Sequence, residues 1–304
     1  MNDLTWTGGT EHWARKAGVE LFLWNKKPAP GAEKRGVLFF VHGSSMASQP
    51  TFDLTVPGRP DSSAMDWFAA RGFDTWTMDN EGYGRSDKSR PQNNDISNGA
   101  DDLAAGTALV LERTGAKNVH MYGISSGALK AALFAERHPE RVGRLALDAF
   151  VWTGKGSPTL EERRKKLAQF QAANRRPIDR AFVESIFTRD HPGTADQATI
   201  DAFASAILAL DDSVPTGTYV DMCSRLPLVD PAKIVNPTIV MRGEYDGIAG
   251  FDDLLEFFKR LPNADKQFAV MAGISHASFQ QKNYRMVYHI LHSFLTQPEP
   301  AYRA

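Results

Sequence analysis

A single cysteine, Cys223, stands in the 304 residues. A lone thiol excludes an internal disulfide framework and any zinc site built on several cysteines. Long apolar runs are missing too. The longest strand-like one, Val37 to Val41, is far short of the ~20 residues that cross a bilayer as a helix. Neither sign of charge dominates: 35 Lys and Arg face 36 Asp and Glu, without the basic excess of a nucleic-acid binder. The densest basic run, Arg163 to Lys166, follows Glu161 and Glu162 and reads as a solvated helix face. The stretch Met1 to Lys16 is polar and lacks the apolar core of a secretory signal, which predicts a soluble, cytoplasmic chain without membrane attachment. No internal repeat or low-complexity tract is visible, which argues against a solenoid.

What the chain does have is alternation. Short β-branched or aromatic runs (11–16, 19–24, 36–42, 73–79, 118–122, 142–150, 238–243 and 266–271) read as strands. Amphipathic stretches between them (64–71, 99–114, 126–137, 251–260 and 283–295) read as helices. Strands alternating with helices predict an α/β fold with a mostly parallel, doubly wound sheet. From about Thr153 to Asp230 the periodicity is helical, with no convincing strand, which predicts a lid inserted between two units of the sheet. Ligands of such sheets bind beyond the carboxyl ends of the strands, so chemistry is sought in the residues that follow each strand.

The strand ending at Tyr122 runs into Gly123-Ile-Ser-Ser-Gly-Ala128 and then a helix. This is G-x-S-x-G in the strand–turn–helix context that gives the pattern meaning. Gly123 and Gly127 flank Ser125 at the two crowded positions of the turn, whereas Ile124 and Ala128 would flank Ser126. Ser125 is therefore the candidate nucleophile, and the Ser126 N–H a candidate oxyanion donor. A serine hydroxyl needs a base and an orienting carboxylate. Of eight histidines, only His276 follows a late strand in a turn of small residues. Asp246, after the strand 238–243 and before Gly247, is the favoured acid; Glu244 and Asp148 are alternatives, and Asp253 falls in a helix. The order Ser125, Asp246, His276 is nucleophile, acid, base. The loop after the strand 36–42 reads His42-Gly-Ser-Ser45, and the Ser44 N–H is the expected second oxyanion donor, with His42 structural.

Together these motifs resemble the α/β-hydrolase superfamily over nearly the whole chain. The resemblance rests on His42-Gly43, the loop from Asp79 to Asp87, the Ser125 elbow, Gly243-Glu-Tyr-Asp246 and His276. It implies an eight-stranded, mostly parallel sheet with a helical cap after the sixth strand. Residues 1–152 and 231–304 would form the core domain and 153–230 the cap. The sequence departs from the family pattern at Glu81, where an arginine is usual, and at Ser275, where glycine usually precedes the base.

The implied activity is a serine hydrolase that cleaves a carboxylic ester of a mainly apolar small molecule, with no metal and no cofactor. Thioesters, lactones and carbon–carbon bonds are alternatives on the same residues. A non-catalytic ligand-binding protein on this fold is the rival from another class. Trp152 and Tyr219 are expected to line the pocket, and the loop 45–62, with Pro50 and Phe52, to form part of its entrance. No G-x-G-x-x-G, P-loop or H-E-x-x-H pattern is present to support a nucleotide or zinc enzyme. Oligomeric state is not legible in the sequence.

Overall fold

Val37-Leu-Phe-Phe-Val41 forms a strand whose side chains alternate between two separate cores, one on each face of the sheet. The computed structural model describes residues 8–302; the part of the N-terminal reading that falls on residues 1–7 lies outside them. The strands in chain order are β1 (Thr10–Lys16), β2 (Val19–Lys26), β3 (Val37–Val41), β4 (Asp74–Met78), β5 (Val119–Ile124) and β6 (Val142–Asp148), then β7 (Arg175–Pro177), β8 (Ser213–Pro215), β9 (Thr238–Gly243) and β10 (Lys266–Met271). Eight of them make one sheet in the order β1-β2-β4-β3-β5-β6-β9-β10. Pairings β1–β2 and β2–β4 are antiparallel, and the remaining ones are parallel. This is the eight-stranded, mostly parallel α/β sheet expected.

The helices of the chain up to β6 are α1 (Ser48–Phe52), α2 (Ala64–Ala69), α3 (Ile96–Thr114) and α4 (Ser126–Arg137). Phe39 and Val41 of β3 share one core with Leu103 of α3 and Ala128 of α4. Leu38 and Phe40 point the other way, into a core with Phe68 of α2. The expected helix at 99–114 starts earlier, at Ile96. There the Asp95 carboxylate accepts the Asn98 N–H at 2.9 Å, and the helix stops at Gly115, whose φ of 68° suits a glycine.

Between β6 and β9 the chain forms α5 (Pro158–Arg164), α6 (Leu167–Gln171), α7 (Arg180–Thr188), α8 (Gln197–Leu208) and α9 (Gly217–Ser224). The reading of this segment as free of strands needs correction, because β7 and β8 pair antiparallel within it. Each is three residues long and contains a proline, too short to show alternation. A third core forms here: Val183, Ile186 and Phe187 of α7 pack with Ile200, Phe203 and Ile207 of α8. The segment is moored where it leaves the sheet. Asp253, in α10 (Phe251–Arg260), accepts the N–H groups of Trp152 at 3.0 Å and Gly154 at 3.1 Å. The last helix, α11 (Tyr284–Thr296), closes the second core with Val287, Leu291 and Phe294. Among the described residues no helix is long and apolar enough to cross a membrane.

Candidate active site

β5 ends at Ile124 and α4 begins at Ser126, so Ser125 alone makes the reversal from strand to helix. It does so at φ 58°, ψ −128°, a region costing a non-glycine residue about 1–3 kcal/mol. The two glycines are dictated by contact. A Cβ on Gly123 would sit 2.5 Å from the Gly127 carbonyl oxygen, and one on Gly127 would sit 2.3 Å from that of Val41. The helix start is thus pressed against the end of β3, and Ser125 is held at the carboxyl edge of the sheet. The Ser125 N–H is fixed to the Asp148 carbonyl at 2.9 Å.

Two further strand ends deliver the partners. His276 Nε2 lies 3.0 Å from Ser125 Oγ, and its Nδ1 lies 3.1 and 3.2 Å from the two carboxylate oxygens of Asp246. All three residues are buried. Burial pushes the Asp246 carboxyl up, but the adjacent His276 and the Ile248 N–H, which donates to Oδ1 at 2.9 Å, outweigh it and hold the group below its usual value. An ionised Asp246 orients Nδ1–H toward itself and leaves Nε2 to accept from the serine. Of the alternative acids, Glu244 instead accepts the Gly273 N–H at 2.8 Å, bracing the loop that carries His276 from outside. Asp148 accepts the Tyr122 hydroxyl at 2.6 Å, and burial raises its carboxyl to about 7. Neither is hydrogen-bonded to His276. The displaced glycine of this loop, Gly273, turns the chain at φ 67°.

His42 is buried between two backbone partners. Nε2 accepts the Asn80 N–H at 2.9 Å and Nδ1 lies 2.8 Å from the Gly43 carbonyl oxygen, which suits a neutral ring; burial and Lys130 depress it to about 3. It is a structural residue of the loop. Glu81, the departure from the family pattern, pairs with Arg90 through both oxygens at 2.7 and 2.6 Å and with Lys16 at 3.1 Å, tying β1 to the loop after β4.

The Ser126 N–H, at the first residue of α4, is at the positive end of the helix dipole beside Ser125. The Ser44 N–H is engaged differently from the expectation: it donates to Ser126 Oγ at 2.7 Å. Gly43 fits where it is because a Cβ there would lie 3.0 Å from that of Ser125.

The surroundings correct several readings. Trp152 does not line this site; its indole N–H donates to the Val229 carbonyl at 3.0 Å and its ring borders a separate surface cleft with Lys155 and Arg260. Pro50 and Phe52 are buried in α1, and Phe52 packs on Phe40, Tyr122 and Phe279 as core. Tyr219 lies beside both Ser125 and a cleft of about 670 Å³. That cleft pairs apolar walls with charge. Phe170, Phe182 and Tyr219 share it with Arg163, Arg176 and Arg189. Sequence reasoning missed the arginines because Arg163 lies in a charged run that looks uniformly solvated. Around Ser125 itself only about 10 Å³ is open, and Arg163, Phe182, Arg189 and Tyr219 border both spaces. Those four side chains stand between the cleft and the serine.

The family model described as serine aminopeptidase, S33, matches residues 32–283. No curated protein gives a significant match. Among solved structures, a soluble variant of monoglyceride lipase from Saccharomyces cerevisiae superposes with a TM-score of 0.73 at 19% identity, covering 97% of each chain. A hydrolase from Pseudomonas aeruginosa gives 0.70 at 17% identity, covering 96% of this chain and 100% of its own. A thermophilic esterase from Thermogutta terrifontis gives 0.64 at 19%, covering 94% and 97%. At such identities the likeness is one of fold.

Proposed function

Since the chain belongs to the serine aminopeptidase S33 family of α/β-hydrolases, we propose that it is a serine hydrolase acting through Ser125, His276 and Asp246 on a carboxylic ester. The observation that carries the reading is the unbroken relay from Ser125 Oγ through His276 to Asp246, at 3.0 and 3.1 Å. His276 takes the serine proton as Oγ attacks the carbonyl carbon. The developing oxyanion meets the Ser126 N–H, and the Ser44 N–H once Ser126 Oγ releases it; one such donor is commonly worth ~10²–10³ in turnover. His276 then gives its proton to the departing alkoxide. Water enters, loses a proton to His276 and attacks the acyl carbon, and Ser125 leaves with that proton restored. No cofactor enters this scheme. The inserted segment 153–230 serves as the lid, since Arg163, Phe182, Arg189 and Tyr219 all belong to it and border the serine.

An ester suits the site better than a peptide with a free amino terminus. An ammonium would call for a spare carboxylate, and the two on the cleft are engaged, Glu162 with Lys165 at 2.5 Å and Asp190 with Arg189 at 3.2 Å. The test is labelling by a fluorophosphonate, located by mass spectrometry, beside a panel of aryl and alkyl esters, thioesters and lactones. Labelling at Ser125 and loss of ester turnover by about 10⁴-fold or more in Ser125→Ala are expected. A folded chain that resists labelling would favour the ligand-binding alternative, and full turnover in Ser125→Ala would remove the serine from the mechanism.

A further inference from the structure

The cleft beside Ser125 carries positive charge that its own walls leave uncompensated. Arg163 comes from α5, Arg176 from β7 and Arg189 from the C-terminal end of α7, three elements that converge here. Arg189 pairs with Asp190. Among the described residues no carboxylate lies within ion-pair distance of Arg163 or Arg176. Arg176 donates instead to Ser45 Oγ, and its Nε is buried without a hydrogen-bond partner, as is one terminal nitrogen of Arg189. Both free guanidiniums bear on one ring: Arg163 lies 4.5 Å and Arg176 4.2 Å from the centre of Tyr219. The field they create is felt there. Burial alone would push the Tyr219 phenol up, yet Arg163 and Arg176 draw it down to about 8.

Half-buried guanidiniums without carboxylates are costly to hold together unless a ligand supplies the counter-charge. The planar fork of arginine matches a carboxylate in bidentate fashion. The walls between the charges are the rings of Phe170, Phe182 and Tyr219, and the volume of about 670 Å³ suits a small molecule. We propose that the substrate of this site is an anionic ester, whose remote carboxylate is received by Arg163 and Arg176 while an apolar linker places its scissile carbonyl at Ser125. This inference rests on Ser125 being the nucleophile for its catalytic half and on the cleft alone for its binding half.

The two halves are tested separately. In the first arm, turnover of the p-nitrophenyl monoester of adipic acid is compared with that of the p-nitrophenyl ester of adipic monoamide, and 4-acetoxybenzoate with 4-acetoxybenzamide, so that the charge sits on the acyl or the alcohol side. At least one carboxylate is expected to exceed its amide in kcat/KM by about tenfold or more, mainly through KM, and to lose that advantage in high salt. The ratio should fall toward one in Arg163→Gln and in Arg176→Gln, each variant serving as its own control. In the second arm, adipate and adipamide are titrated into Ser125→Ala by calorimetry, where only the dianion should bind. Amides equal to carboxylates in both pairs, or a preference that survives both arginine substitutions, would overturn the proposal. If neither ester pair turns over but adipate still binds Ser125→Ala and not its Arg163→Gln derivative, the hydrolase reading fails and the anion site stands. Absence of adipate binding together with amide turnover would leave the hydrolase and remove the anion site.

Discussion

The Ser44 N–H donates to Ser126 Oγ at 2.7 Å, so the two residues proposed to hold an oxyanion are hydrogen-bonded to each other. In the proposed mechanism Ser126 offers its amide, while its hydroxyl occupies the Ser44 N–H. In Ser126→Ala the helix and its N–H remain, and the competing acceptor is gone. One buried hydrogen bond is lost, so a drop of about 1 kcal/mol in stability is expected. Ester kcat should hold or rise. A fall of ~10²–10³, the usual cost of an oxyanion donor, would show that the Ser126 hydroxyl itself aids turnover. Steady-state kinetics beside a urea melt distinguishes these outcomes.

Much of this arrangement was legible in the sequence because strand ends are legible. Apolar runs bounded by Gly and Asp mark where β5, β9 and β10 stop, and Ser125, Asp246 and His276 all lie within five residues of those ends. The glycines around Ser125 are there for contacts under 3 Å, a requirement so tight that it surfaces as a spacing rule. What sequence could not reveal depends on direction rather than periodicity. In the charged run Glu161 to Lys166, Glu162, Arg163 and Lys166 border the cleft while Glu161, Arg164 and Lys165 do not. Trp152 sits at the start of the inserted segment as expected, but its indole is committed to the Val229 carbonyl. The Ser44–Ser126 bond spans 82 residues and leaves no trace in either local pattern.

Asp148 makes stability depend on pH in a calculable direction. Its ordinary carboxylate value of 3.8 applies in the unfolded chain, and burial raises it to about 7 in the folded one. Between those values the native state binds more protons. The contribution of Asp148 to stability is therefore greatest below about pH 4, declines as pH rises toward 7, and is level above that. Asp79, raised by burial to about 6, adds to the decline over the lower part of the window. Asp148→Asn keeps an acceptor for the Tyr122 hydroxyl and removes the titration. Relative to the parent, it should gain stability between pH 5 and pH 8. Urea midpoints at the two pH values check this; equal pH dependence in both proteins would show that Asp148 does not hold a proton.

Arg59 ties the loop after α1 to the segment that follows His276. Its guanidinium donates to the backbone carbonyls of Phe279 and Gln281, each at 2.8 Å, and of Gln280 at 3.0 Å, as well as to Thr199 Oγ1 at 2.8 Å. It also stacks on Tyr284 at 3.9 Å. The three carbonyls begin three residues after His276, so Arg59 fixes the backbone just beyond the imidazole, and its loss is expected to loosen the placement of that ring. Arg59→Met retains the apolar stem and strands those acceptors, at a cost of about 2–4 kcal/mol. For a chain of this size that is a fall of about 3–6 °C in Tm. Measured well below the melt, kcat should fall while KM for a neutral ester changes little, because the cleft does not include Arg59. Arg59→Lys, which keeps the charge but not the planar fork, should recover part of both losses. An unchanged Tm in Arg59→Met would mean that water replaces the guanidinium at no cost. A lowered Tm with kcat intact would confine its role to stability and detach it from the placement of His276.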